Sequence, residues 1–209
     1  IELIDAAERT ALIQPLTNWV LDAAIAQCAT WRKAGLNLRV AVNLSAYDLA
    51  DDNIVGRVSQ RLRTHDLPGE NLELEFTEST LIRDLDATLP KLRQLHMLGV
   101  STAIDDFGTG YASLGYLNSF PFSKIKIDKS FIQAKPSPRA NALVSGILAM
   151  GSNLGMATIA EGIETLEQYT QLEVDGCNLA QGYYIARPMP AGQIADFLER
   201  FCPPAARAS

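Results

Sequence analysis

Short apolar runs alternate with longer amphipathic ones along this chain of 209 residues, and that alternation leaves few folds open to it. Runs with strand character lie at Leu38–Ser45, Leu72–Thr77, Val100–Asp105, Lys124–Asp128, Ala157–Glu161 and Leu179–Ile185. Runs with apolar residues at helical spacing lie at Ala11–Ala34, Ile54–Leu62, Leu85–Leu98, Leu143–Leu154, Leu166–Leu172 and Ile194–Phe201. In the first of these, Trp19, Val20, Ala23, Ala24 and Cys28 form the stripe expected to face the core. Gly35, Gly99, Gly155 and Gly176 stand where helices should stop, each shortly before a strand. Alternating strands and helices imply parallel strands joined by right-handed crossovers. No linker, repeat or low-complexity segment divides the sequence, so one α/β domain over residues 1–209 is expected, with a tail from about residue 202.

Strand parity chooses between an open doubly wound sheet and a closed barrel. Leu38, Val40 and Val42 alternate with Arg39, Ala41, Asn43 and Ser45; Leu72, Leu74 and Phe76 alternate with Glu73, Glu75 and Thr77. Ile125 and Ile127 alternate with Lys124, Lys126 and Asp128. Each strand has an aliphatic face and a polar or small one. An open parallel sheet covered on both faces should read apolar throughout. A (β/α)8-like TIM barrel fits instead, with aliphatic faces toward outer helices and polar faces lining its interior.

Composition narrows the function. With 47% hydrophobic and 20% charged residues the chain is globular, and its net charge of −6 argues against a nucleic-acid polymer or an anionic membrane as partner. Cys28, Cys177 and Cys202 are far apart and form no CxxC pair, which points to free thiols in a reducing compartment. His65 and His96 make no zinc-binding spacing. Ala142–Ala160 lacks charge but is only mildly apolar, and reads better as a buried helix and strand than as a membrane span.

Each strand-like run ends in a group able to bind a metal or do chemistry: Asn43, Glu75, Asp105 with Asp106, Lys126, Glu161 and Gln181. Catalytic groups of barrels come from the carboxyl ends of different strands. Taken singly, several have plainer readings. Asn43 suits a turn or cap, Glu78 and Glu164 suit helix N-termini, and Gln181 suits a satisfied core amide. Lys126 between two isoleucines is costly unless paired. Together they make an oxygen-rich set suited to Mg²⁺ or Mn²⁺. Adjacent Asp105 and Asp106 repel unless a cation lies beside them. They could serve two ions, the arrangement used for phosphodiester hydrolysis. The glycines of Gly108-Thr109-Gly110 suit a loop that gates such a site.

The segments Asn43-Leu44-Ser45, Glu75-Phe76-Thr77-Glu78-Ser79, Asp105-Asp106-Phe107-Gly108-Thr109-Gly110-Tyr111, Lys126-Ile127-Asp128, Glu161-Gly162-Ile163-Glu164-Thr165 and Gln181-Gly182-Tyr183 resemble, in order and spacing, the successive motifs of EAL domains. The resemblance implies a barrel that hydrolyses the bacterial second messenger cyclic di-GMP to linear pGpG, requires Mg²⁺ or Mn²⁺, and is inhibited by Ca²⁺. It implies that Asn43, Glu75 and Asp105 hold one ion, and that Asp105, Asp106 and Glu161 hold the second. It implies that Lys126 orients the attacking water and that Glu164 and Gln181 support the metal-water network and the substrate. It also implies that Glu78 anchors a loop running from Phe107 through Gly108, Thr109 and Gly110 to Leu114. A homodimer, upstream sensory or GGDEF domains and a cytoplasmic location are the family tendency. Degenerate members act instead as cyclic di-GMP receptors. Ala112 and Ile163 depart from the usual serine and valine. The Glu-Ala-Leu motif that names the family is absent from the sequence, and Ile1–Glu8 resembles the helix that follows it. Six strand-like runs against the eight of a barrel lead us to expect the first two strands outside this sequence.

Overall fold

The computed structural model describes residues 7, 12–82, 84–109, 117, 120–135 and 137–201. The chain divides into two compact units, Ile1–Asp105 with Gly110–Ser123, and Asp106–Thr109 with Lys124–Ser209.

The first unit is built from α1 (Ile13–Lys33), β1 (Val40–Asn43), α2 (Ala46–Ala50), α3 (Ile54–His65), β2 (Leu72–Thr77), α4 (Glu78–Ile82), α5 (Leu85–Met97) and most of β3 (Ser101–Phe107). β2 pairs in parallel with β1 and with β3. Its aliphatic face, Leu72, Leu74 and Phe76, is fully buried. Glu73 and Glu75, on the other face, are buried as well. β1 keeps the expected parity, with Val42 buried and Ala41 and Asn43 exposed. Phe76→Ala should cost about 3–5 kcal/mol, because the transfer term and the cavity left behind add. Urea unfolding should show a lower midpoint at unchanged slope.

The second unit comprises β4 (Lys124–Ile127), α6 (Lys129–Ile132), α7 (Pro138–Asn153), β5 (Ala157–Ala160), α8 (Leu166–Val174), β6 (Leu179–Ala180) and α9 (Ile194–Arg200). β5 pairs in parallel with β4 and with β6. The charge-free stretch Ala142–Ala160 is most of α7 followed by β5, as expected, and no helix among the described residues is long and apolar enough to cross a membrane. Both units thus have the parallel α/β organisation expected from the alternation. Gly35, Gly99, Gly155 and Gly176 all adopt positive φ beyond helix ends.

Three expectations are corrected. The buried stripe of α1 is Ile13, Thr17, Leu21, Ile25, Cys28 and Ala29, and Trp19 is 68% exposed. Both stripes have helical spacing, and the one richer in large aliphatic side chains faces inward because it removes more apolar area from water. The last strand runs only over Leu179–Ala180 rather than to Ile185. There the chain turns at Gly182, where an added Cβ would lie 2.1 Å from the Ile163 carbonyl oxygen. The third strand continues to Phe107, so Asp105 and Asp106 lie within it rather than at its end. Gly110, most of the expected loop to Leu114, Cys202 and the expected tail lie outside the described residues.

Candidate functional site

Two groups of the sequence-predicted residues form, one in each unit. In the first, register does the placing. Asn43 pairs with Glu75 across β1 and β2, and the ladder continues through the Leu44 amide to the Glu75 carbonyl at 2.9 Å. Glu75 in turn pairs with Ala103, and Thr77 with Asp105. Paired residues share a face and alternate residues return to it, so Asn43, Glu75 and Asp105 lie on one face at the carboxyl ends of three adjacent strands. Glu73 lies on the same face, but the Arg39 guanidinium sits 3.7 Å from it, which gives that acid a structural partner.

The turn after Asn43 is held by residues not singled out from sequence. Ser45 caps α2 through a capping box with Asp48, whose carboxylate also accepts from the Thr17 hydroxyl at 3.0 Å. The signal was present as Ser-x-x-Asp ahead of a short helix. Glu78 opens α4 and is only 3% exposed, and neither of its carboxylate oxygens has a hydrogen-bond partner among the described residues.

In the second unit the Lys126 ammonium is buried and lies 2.8 Å from a Glu161 carboxylate oxygen. The expected cost of a lysine between Ile125 and Ile127 is thereby offset. Backbone bonds align the strand ends: the Glu161 amide donates to the Ile127 carbonyl, and the Gln181 amide to the Ala160 carbonyl. Asp106 and Glu161 present carboxylate oxygens within 4.8 Å of each other. Such a pair repels unless a cation or proton intervenes, and an all-oxygen donor set fits a hard divalent cation. Asp106 itself has left-handed backbone, φ +52°. Its carbonyl accepts from the Thr109 hydroxyl at 2.8 Å, closing a turn in which Gly108, at φ +94°, takes the position that such turns reserve for glycine. An added Cβ on Gly108 would lie 3.1 Å from the Phe131 ring, so the turn rests directly on α6.

Glu164 and Gln181 are exposed. Glu164 is not a cap; Thr165 caps α8 in a capping box with Gln168. Gln181 is not a buried core amide. Asp128 caps α6. Burial pushes its carboxyl up, but hydrogen bonds from the Ser130 hydroxyl and amide, one with Asp106 and one from the Lys129 amide bring it below the ordinary value. Stability from a depressed carboxyl is present above the unfolded pKa and is lost as pH falls through the folded one. Asp128→Asn, which keeps a capping side chain, should therefore flatten the acid limb of the stability–pH curve and change little at neutral pH.

Fold and site together place the chain among parallel α/β domains that carry their polar groups at the carboxyl ends of the strands. The family model for the EAL domain matches residues 2–188, and the chain belongs to that family. It is similar to the cyclic di-GMP phosphodiesterase PA2567 of Pseudomonas aeruginosa, 42% identical over 200 residues that cover 95% of this chain and 34% of that protein. It is 45% identical to the bifunctional diguanylate cyclase/cyclic di-GMP phosphodiesterase MucR of the same organism, over 92% of this chain and 28% of that protein. The cyclic di-GMP phosphodiesterase PdeR of Escherichia coli is 38% identical, over 96% of this chain and 31% of that protein. A solved structure of the PaMucR phosphodiesterase in complex with cyclic di-GMP superposes with a TM-score of 0.89 at 44% identity, covering 92% of this chain and 79% of that one. The chain thus spans about a third of the length of these curated relatives.

Proposed function

We propose that this domain is a metal-dependent phosphodiesterase that hydrolyses cyclic di-GMP to linear pGpG. The observation that carries the reading is the buried Lys126–Glu161 pair beside Asp106, a charged set held at strand ends where binding alone would not require a lysine. The names of the relatives support the substrate. Asn43, Glu75 and Asp105 would hold one divalent cation, and Asp105, Asp106 and Glu161 the second, with Mg²⁺ or Mn²⁺ as the ions. When bound, the ions lower the cost of forming the attacking hydroxide and neutralise the phosphodiester.

The chain's own residues do the rest. The Lys126 ammonium orients the water, whose oxygen forms the new P–O bond while the P–O3′ bond breaks and the freed 3′ oxygen takes a proton. Glu164 and Gln181 support the water network and the substrate. Glu78 anchors the loop that begins at Phe107, Gly108, Thr109 and Gly110; its two unpartnered carboxylate oxygens support that role. In the full-length protein the domain would work in the cytoplasm as a homodimer, governed by sensory or GGDEF domains elsewhere in the polypeptide.

The test is to incubate the full-length protein with cyclic di-GMP and Mg²⁺ and to separate the products. Linear pGpG is expected. A chelator should stop its formation, and added Mg²⁺ or Mn²⁺ should restore it. Tight calorimetric binding without turnover at saturating metal would make the domain a receptor instead.

A further inference from the structure

We infer that Gln133 is a positioning residue for Glu164, an assignment that rests on the phosphodiesterase reading. Gln133 follows the single turn of α6, which itself follows the strand that carries Lys126. Its amide nitrogen donates to the Gly162 carbonyl at 3.0 Å and to the Glu164 carboxylate at 3.1 Å. Both partners are acceptors, so the nitrogen end of the amide must face them, and both of its hydrogens are used.

The segment bearing Glu164 is pressed onto α6. Gly162 has φ +70°, and an added Cβ there would lie 2.5 Å from the Lys129 Cβ and 3.0 Å from the Gln133 amide nitrogen. Only glycine permits both that backbone and that approach. On the other side Gln168 accepts from the amides of Glu164 and Thr165, at 2.8 and 3.1 Å, and donates to the Ile132 carbonyl at 3.1 Å. Backbone and side chain of Glu164 are therefore held by different residues. Gln168 and the Thr165 cap fix the backbone, and Gln133 fixes the carboxylate. An exposed carboxylate without such a donor samples several rotamers, and a small misplacement of a working group is costly in rate. Removing the Gln133 side chain should free the carboxylate while the backbone of its segment stays in place.

In the full-length protein, Gln133→Ala should lower kcat for cyclic di-GMP about tenfold, with KM changed less than about twofold. In a Glu164→Ala background the same substitution should have no further effect, since coupled residues do not add. Gln171→Ala, whose side chain bonds only Asp175 on the far part of α8, serves as the control and should leave both constants unchanged. Gln133→Glu should be worse than alanine, because it sets two carboxylates against each other. Adding Glu164→Gln, which reverses the donor and acceptor, should restore the melting temperature lost by Gln133→Glu. Equal losses from Gln133→Ala in both backgrounds would overturn the assignment. A wild-type protein without turnover would defeat the phosphodiesterase reading alone. The melting-temperature cycle would then decide the Gln133–Glu164 contact, and its failure to restore stability would overturn the assignment.

Discussion

Asp105→Ala should abolish hydrolysis of cyclic di-GMP, lowering turnover about a thousandfold or more while the fold survives. Asp105 is the residue assigned to both cations, and charge stabilisation by a catalytic metal is worth several kcal/mol, each ~1.4 kcal/mol being a factor of ten in rate. Register places its side chain on the face of Glu75 and Asn43, at the strand end where substitution leaves the aliphatic face of β3 untouched. The variant has one acid fewer in a like-charged group, so without metal it should melt no lower than wild type. What it should lose is the rise in melting temperature that Mg²⁺ gives the wild type, because only a native-state ligand shifts that equilibrium. A variant that retained a tenth of the activity, or the full metal-dependent rise, would remove Asp105 from the bridging role.

The second large effect is an asymmetry between Lys126 and Glu161. The lysine side chain is 5% exposed and the glutamate 17%. Removing one partner of a buried pair costs about 3–5 kcal/mol, since it strands the other charge in a poor solvent. The more deeply buried charge suffers more when deserted. Glu161→Ala should therefore destabilise by about that amount. Lys126→Met, which fills the space between Ile125 and Ile127 and leaves the better-solvated carboxylate, should be near wild type in stability. Both should be inactive. Lys126→Met would thus be a folded, substrate-binding, non-hydrolysing protein, and calorimetry with cyclic di-GMP would show it. Equal destabilisation by the two substitutions would mean that burial does not govern this pair.

Much of this was readable in the sequence because local rules decide it. Helix-stopping glycines, strand parity and polar residues near strand ends are patterns within a few residues of one another, and they survive folding. What the sequence hid was decided across distance. Two stripes of α1 satisfy the same period, and only packing selects the Leu21–Ile25 side over Trp19. Leu179–Ile185 has strand composition, yet the approach of Ile163 to Gly182 ends the strand after two residues. The one-turn helix α6 is too short for any periodicity to announce. Gln133 gave no signal, because its partners lie 29 and 31 residues away. Ser45 and Asp48 did give one, a capping box that motif reading passed over.

The left-handed backbone of Asp106 bears on how this position tolerates change. Charge alone would rank glutamate as the mildest replacement at either neighbouring aspartate. At Asp105, on extended backbone, a glutamate differs only in reach. At Asp106 the main chain itself filters the side chain, since positive φ costs most residues about 1–2 kcal/mol and is easily adopted only by glycine, asparagine and aspartate. Among those three only aspartate carries a carboxylate. A library randomised at both positions should therefore return a short list at each for different reasons: at 105 a list set by chemistry, and at 106 a single residue on which chemistry and geometry agree.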